Sequence, residues 1–129
     1  FTPSVIVATK GDIVSFRFSG TPGNHSVTQS SFTNPCNPLP GGFDSGNVFV
    51  NFTDVTTPVF DLTITDDTQP IWFFCKQLNP APHCGQEMVG SINPPSTDNT
   101  FNEFISMARV FGTSRAAVGV RTPSNSLSE

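Results

Sequence analysis

At 129 residues the chain is long enough for one domain with a real hydrophobic core and too short for two. A net charge of -4 and a pI near 4.9 leave no basic patch to neutralise phosphates, which argues against a nucleic-acid partner. Charged residues are only 12% while Phe numbers 13, so the core is expected to be Phe-rich; no apolar run is long enough to span a membrane, and with no signal peptide a secreted protein would be a mature form here, or a fragment of one.

Twelve prolines, ten glycines and abundant Ser, Thr and Asn predict short strands with frequent turns. Residues 4–9 and 12–18 alternate apolar and polar around Lys10 and Gly11, with Val5 and Val7, then Val14, Phe16 and Phe18, on the inward side. Residues 19–24 are turn chemistry and lead into His25, placed at the end of a strand over 26–31. The loop over 34–42 holds three prolines and carries Cys36. Along 43–52, Val48, Val50 and Phe52 share one parity, and Phe49, Asn51 and Thr53 the other. Asn51-Phe52-Thr53 is a glycosylation sequon, and its outward parity makes Asn51 the glycosylation candidate. A second sequon, Asn24-His25-Ser26, overlaps a candidate ligand and is expected to stay unmodified. Over 59–65, Phe60, Leu62 and Ile64 point inward and Asp61, Thr63 and Thr65 outward; residues 66–70 form the next turn.

Residues 71–75 place Ile71, Phe73 and Cys75 on one face and Trp72 and Phe74 on the other, which suits a central strand. Seven or eight short strands with turns between them predict an all-β fold, a Greek-key sandwich. After Pro94 and Pro95, Ser96-Thr97-Asp98 offers an N-cap, and Phe101, Phe104, Ile105, Ala108 and Phe111 follow at helical spacing up to Gly112. The spacing predicts one amphipathic helix over 98–111, closing a domain of residues 1–112, with 113–129 as a Ser/Thr-rich tail.

The chemistry concentrates in 71–94, where Cys75, His83, Cys84 and Met88 follow one another across a loop containing Pro80 and Pro82. Taken singly, each has an ordinary reading: His25 as a turn residue, Met88 as core filler, Cys75 and Cys84 as a simple disulfide. One arrangement accounts for all four ligand candidates, a trigonal copper site of two His and one Cys with a long axial Met; the second histidine must then be His25, since the chain has only two. Three cysteines fit one disulfide plus one thiol with a separate task.

At these residues the chain resembles the fungal extracellular cupredoxins, small secreted blue-copper domains related to the plant phytocyanins. The resemblance rests on Phe1-Thr2-Pro3-Ser4-Val5, Gly11-Asp12-Ile13-Val14-Ser15-Phe16, Asn24-His25-Ser26-Val27-Thr28, Pro35-Cys36, and the run from Pro70 through Cys75, His83-Cys84 and Met88-Val89 to Pro94, so it covers residues 1–94. It implies a cupredoxin-like sandwich with copper on His25, Cys75, His83 and Met88. It also implies a Cys36–Cys84 disulfide, the pair that remains if Cys75 binds metal; a Cys75–Cys84 bond would instead free Cys36 and abolish the site.

The function so implied is a secreted, monomeric, non-enzymatic type 1 copper protein of the extracellular space or cell surface, engaged in one-electron transfer or copper handling. A redox partner protein would meet it at His83, beside Leu78, Pro80, Ala81 and Pro82, and a longer precursor would supply any surface attachment. The alternative is a non-redox binding or cell-wall module on the same scaffold. A hydrolase is weakly supported by two histidines, no tyrosine and scattered Glu87 and Glu103. Two departures from the family carry expectations of their own. The chain begins at a phrase that the family usually precedes with another strand, and 115–121 is expected to fill that edge; Glu87 stands where a small residue usually precedes the methionine, putting a carboxylate near the metal.

Overall fold

The computed structural model describes residues 1–19, 23–51, 57–79 and 81–117, with side chains up to residue 112. Its strands are β1 (Val5–Ile6), β2 (Ile13–Arg17), β3 (Gly23–His25), β4 (Thr28–Ser30), β5 (Val48–Val50), β6 (Val59–Thr63), β7 (Ile71–Phe74) and β8 (Val89–Ile92), followed by a helix, α1 (Phe101–Ala117). One sheet runs β1-β8-β7-β4, and two antiparallel ladders, β2 with β6 and β3 with β5, complete the sandwich. This is the all-β fold with a C-terminal helix that the alternating patterns predict.

The strand β7 explains the layering. Its period-two alternation sends Phe73 to one face, where it is fully buried with Phe16, Phe18, Val27, Val50, Ile64 and Ile92 between the sheets. Phe16 and Phe1 meet the Phe73 ring edge-on at 5.1 and 5.0 Å, an arrangement that the ring quadrupole favours. Trp72 and Phe74 point the other way, into a second core with Val89, Phe104 and Ala108 of α1, where the Trp72 and Phe104 rings lie 4.6 Å apart. Because both faces are covered, β7 has no polar parity. Gly90, opposite Phe73 in the register, leaves room for that ring: a Cβ there would lie 2.4 Å from it.

Three expectations need correction. The inward parity of the first strand is reversed: Val5 and Val7 are 41% and 85% exposed, while Ile6 packs on the core and Ala8 is buried. Parallel pairing with β8, Ile6 against Ile92, sets that register, and a one-residue shift exchanges the faces. The helix starts at Phe101 rather than 98, because Asp98 and Asn99 have φ of 50° and 57°. Thr100 caps it instead: Glu103 N–H donates to Thr100 Oγ1 (3.3 Å) and Thr100 N–H to Glu103 Oε1 (2.8 Å), a capping box. The helix then runs past Gly112 to Ala117, so residues 115–117 of the expected edge strand are helical; 118–121 lie outside the described residues.

Candidate metal centre

Neighbouring strands bring three of the four candidate residues to one end of the sandwich. In the β7–β8 ladder Phe74 pairs with Val89, and one step beyond, Cys75 N–H donates to the Met88 carbonyl at 3.0 Å. On the other side of β7, Thr28 pairs with Phe74, so the chain just before β4 runs beside Cys75, and Ser26 N–H points at its Sγ at 3.3 Å. His25 is the last residue of β3, held opposite Val48. His83 comes from the loop: its N–H donates to the Gln77 carbonyl and its own carbonyl accepts from Met88 N–H, both at 3.0 Å. Gln77 Oε1 accepts from the N–H groups of Leu78 (2.9 Å) and Asn79 (3.0 Å), which tightens the loop's first turn. Cys36 and Cys84 form a disulfide, leaving Cys75 as the free and fully buried thiol, so the open question of cysteine pairing resolves in favour of a usable Cys75.

The donor atoms form a triangle. His25 Nδ1 and His83 Nδ1 are 3.2 Å apart, and Cys75 Sγ lies 3.8 Å from the first and 3.5 Å from the second. A first-row metal ion takes imidazole nitrogen at about 2.0 Å and thiolate sulfur at about 2.3 Å; at trigonal angles that requires a nitrogen–nitrogen edge of about 3.5 Å and nitrogen–sulfur edges of about 3.7 Å. The three edges match within a few tenths of an ångström, so one ion fits between these atoms without moving the backbone. Met88 lines the same cavity as His25.

The surroundings prepare the donors. His83 Nε2 is 3.0 Å from the Asn79 carbonyl, which only accepts, so Nε2 carries the proton and Nδ1 turns its lone pair toward the triangle. Burial, helped by the facing His83 and the chain's amino terminus, lowers the pKa of His25 below its ordinary 6.5 and so favours the neutral ring, the form that can offer a lone pair.

Behind Cys75 lies a hydrogen-bond ring that sequence reasoning missed. Lys76 N–H donates to Ser26 Oγ (2.9 Å), Ser26 Oγ pairs with Thr28 Oγ1 (2.9 Å), Thr28 Oγ1 donates to Asp44 Oδ1 (3.0 Å), and Lys76 Nζ closes the ring on Asp44 Oδ2 (2.6 Å). Ser26 and Thr28 are buried, so the ring satisfies polar groups that would otherwise be costly in the core. Burial raises the pKa of Asp44, but the hydrogen bonds from Lys76, Gly46 N–H and Thr28, with the lysine charge, outweigh it and hold the carboxyl below its ordinary 3.8. The one visible hint was the pair of hydroxyls at Ser26 and Thr28, two residues apart and hence on one face.

Glu87 directs its carboxylate to Arg109 on α1, 2.7 Å from Nε. Its φ of 68° is a left-handed conformation that favours glycine, which is a physical reason for a small residue at this position. Asn51 is exposed; Phe52 and Thr53 of its sequon, and Pro80 of the expected docking rim, lie outside the described residues.

No family model matches the chain. The chain is similar to "Probable GPI-anchored cupredoxin-1" of Arthroderma benhamiae, with 34% identity over 125 residues, which is 97% of this chain and 61% of that protein. The chain thus spans less than two thirds of that protein's length.

Proposed function

Since the chain belongs to the cupredoxins, we propose that it is a type 1 (blue) copper protein that carries single electrons outside the cell, or handles copper there. The donor triangle of His25, Cys75 and His83 carries this reading, because a buried thiolate between two imidazole nitrogens is the donor set that copper takes in electron-transfer sites. Copper, when bound, supplies a one-electron couple.

The chain's own residues hold the geometry. Cys75 as a thiolate, His25 and His83 through Nδ1, and Met88 through its thioether are the residues that would hold the ion. Ser26 N–H donates to the sulfur and limits its rotation, and the Asn79 carbonyl, bonded to Nε2, limits rotation of the His83 ring. A sheet on one side and a disulfide on the other resist displacement of these donors, so the same geometry serves both charge states. Leu78, 60% exposed, with Ala81 and Pro82, offers a small apolar rim beside His83 for a redox partner protein. The reading includes no catalysis on a bound substrate. The name of the Arthroderma protein supports cell-surface attachment through a longer precursor, and Asn51 is the glycan acceptor.

The test is the visible spectrum of the protein titrated with Cu(II), beside that of Cys75→Ser. An intense blue charge-transfer band lost in the variant is the expected result. A colourless wild-type protein would overturn electron transfer and favour a binding module on the same scaffold.

A further inference from the structure

The segment between His83 and Met88 consists of Cys84, Gly85, Gln86 and Glu87, and its first three residues form a single 3-10 turn. Two candidate ligands therefore flank one short turn, and a displacement of the turn moves both.

Three of its four residues are gripped by α1. Gly85 meets Gly112 so closely that a Cβ on Gly112 would lie 2.3 Å from the Gly85 backbone. Cys84 is bonded to Cys36, whose Sγ lies 3.6 Å from the Ala108 carbonyl, and both cysteines pack with Ala108 and Phe104 in the second core. Glu87 is paired with Arg109. Residues 108, 109 and 112 lie along one stripe of the helix, at the i, i+1 and i+4 positions that face one neighbour. The absence of a side chain at 112 is what permits the contact, and it explains why a glycine that the spacing reads as a stop sits inside the helix. Glycine in a helix interior costs about 1 kcal/mol relative to alanine, so its place here is set by the neighbour rather than by the helix.

We propose that α1 is the positioning element of the ligand loop, with Gly112 and Arg109 as positioning residues that set where His83 and Met88 stand relative to Cys75. The inference rests on the copper reading only for its readout at the metal; the grip itself is a property of the metal-free chain.

The experiment compares wild type with Gly112→Ala, Arg109→Ala, Arg109→Lys and, on the outer surface of the helix, the 62% exposed Val110→Ala. Amide hydrogen exchange is followed in the metal-free proteins, and Cu(I) affinity and reduction potential in the loaded ones. Gly112→Ala is expected to abolish protection of the Glu87 and Met88 N–H groups, which bond the Cys84 and His83 carbonyls, while the β7 and β8 amides keep theirs. It is expected to lower Cu(I) affinity roughly ten- to a hundredfold, the range for outer supports of metal ligands, and to shift the potential. Arg109→Ala acts through an exposed pair and should cost no more than about fivefold, restored in part by Arg109→Lys. Val110→Ala should change neither.

Unchanged protection of Glu87 and Met88 in both Gly112→Ala and Arg109→Ala would overturn the proposal, as would a loss of protection spread evenly over β7 and β8. If Gly112→Ala does not fold, the Arg109 variants decide through loop exchange and potential. If wild type takes no copper the functional reading fails, and the exchange measurements alone still decide the grip.

Discussion

The two halves of the candidate metal centre are held by different means. On one half, Cys75 continues a central strand and is fully buried, with its N–H bonded to the Met88 carbonyl on one side, its sulfur facing Ser26 N–H on the other, and the ring through Ser26, Thr28, Asp44 and Lys76 behind it. On the other, His83 stands on a loop where the ladder has ended, and a disulfide and a helix take over. Where regular pairing stops, backbone order must come from a covalent tie or from packing, because a loop has few ladder bonds to resist its own conformational entropy. The comparison teaches that the sulfur donor is placed by the sandwich, whereas one imidazole is placed by elements added to it.

The largest break should come on the loop half. Replacing both disulfide cysteines, Cys36→Ala with Cys84→Ala, frees a closed segment with a sequence separation of 48. The expected loss is about 2–4 kcal/mol in denaturant unfolding, with amide exchange rising first in 77–88 and not in β7. Exchange rising first in β7 would show that the disulfide serves the whole sandwich and not the loop.

A smaller break belongs to the cysteine half. Ser26→Ala removes the acceptor for Lys76 N–H and one of the partners of Thr28, which keeps its bond to Asp44, and should cost about 1–3 kcal/mol. The visible band of the copper-loaded protein should shift, because one of the two ties between the chain carrying Cys75 and the chain that follows His25 is lost, leaving only the Ser26 N–H bond to the sulfur. An unchanged band at reduced stability would confine the ring to a structural role.

The smallest effect sharpens the same half through pH. The folded pKa of Asp44 lies below its ordinary 3.8, so on acidification the unfolded chain takes up that proton first. The stability it contributes is complete above pH 3.8 and is lost as pH falls through the folded value. In the Asp44→Asn variant that part of the acid sensitivity disappears. With both partners of the Lys76 pair about one third exposed, the difference should stay under about 1 kcal/mol. Denaturant midpoints of the two proteins at neutral pH and near pH 3.5 check it; parallel losses would show that Asp44 carries no such role.

Much of this could be read from residue order. The parity of Phe60, Leu62 and Ile64, and of Val14, Phe16 and Phe18, predicts which side faces the core, because two-residue alternation with one buried face leaves a single consistent register. The same reasoning failed at Val5 and Val7, where an edge strand of two residues takes its register from its partner β8. The helix was legible in its apolar spacing but not in its ends. Gly112 reads as a stop until its neighbour is known, and Thr100 with Glu103 makes the better cap.

The sequence by itself determined the all-β class with one helix, the set of candidate donor residues and the residue types around them, since these follow from local alternation and from the rarity of histidine and cysteine in this chain. Only the tertiary structure decided that His25 Nδ1, His83 Nδ1 and Cys75 Sγ meet at 3.2 to 3.8 Å, that Cys36 closes on Cys84, and that Asp44 and Arg109 support the two halves of the centre. Those facts depend on His25 reaching Cys75 and His83 across 50 and 58 positions, on the two disulfide cysteines meeting across 48, and on contacts across 16 and 22 in the last case. Contact at such separations is set by sheet register and packing, which local patterns constrain without specifying.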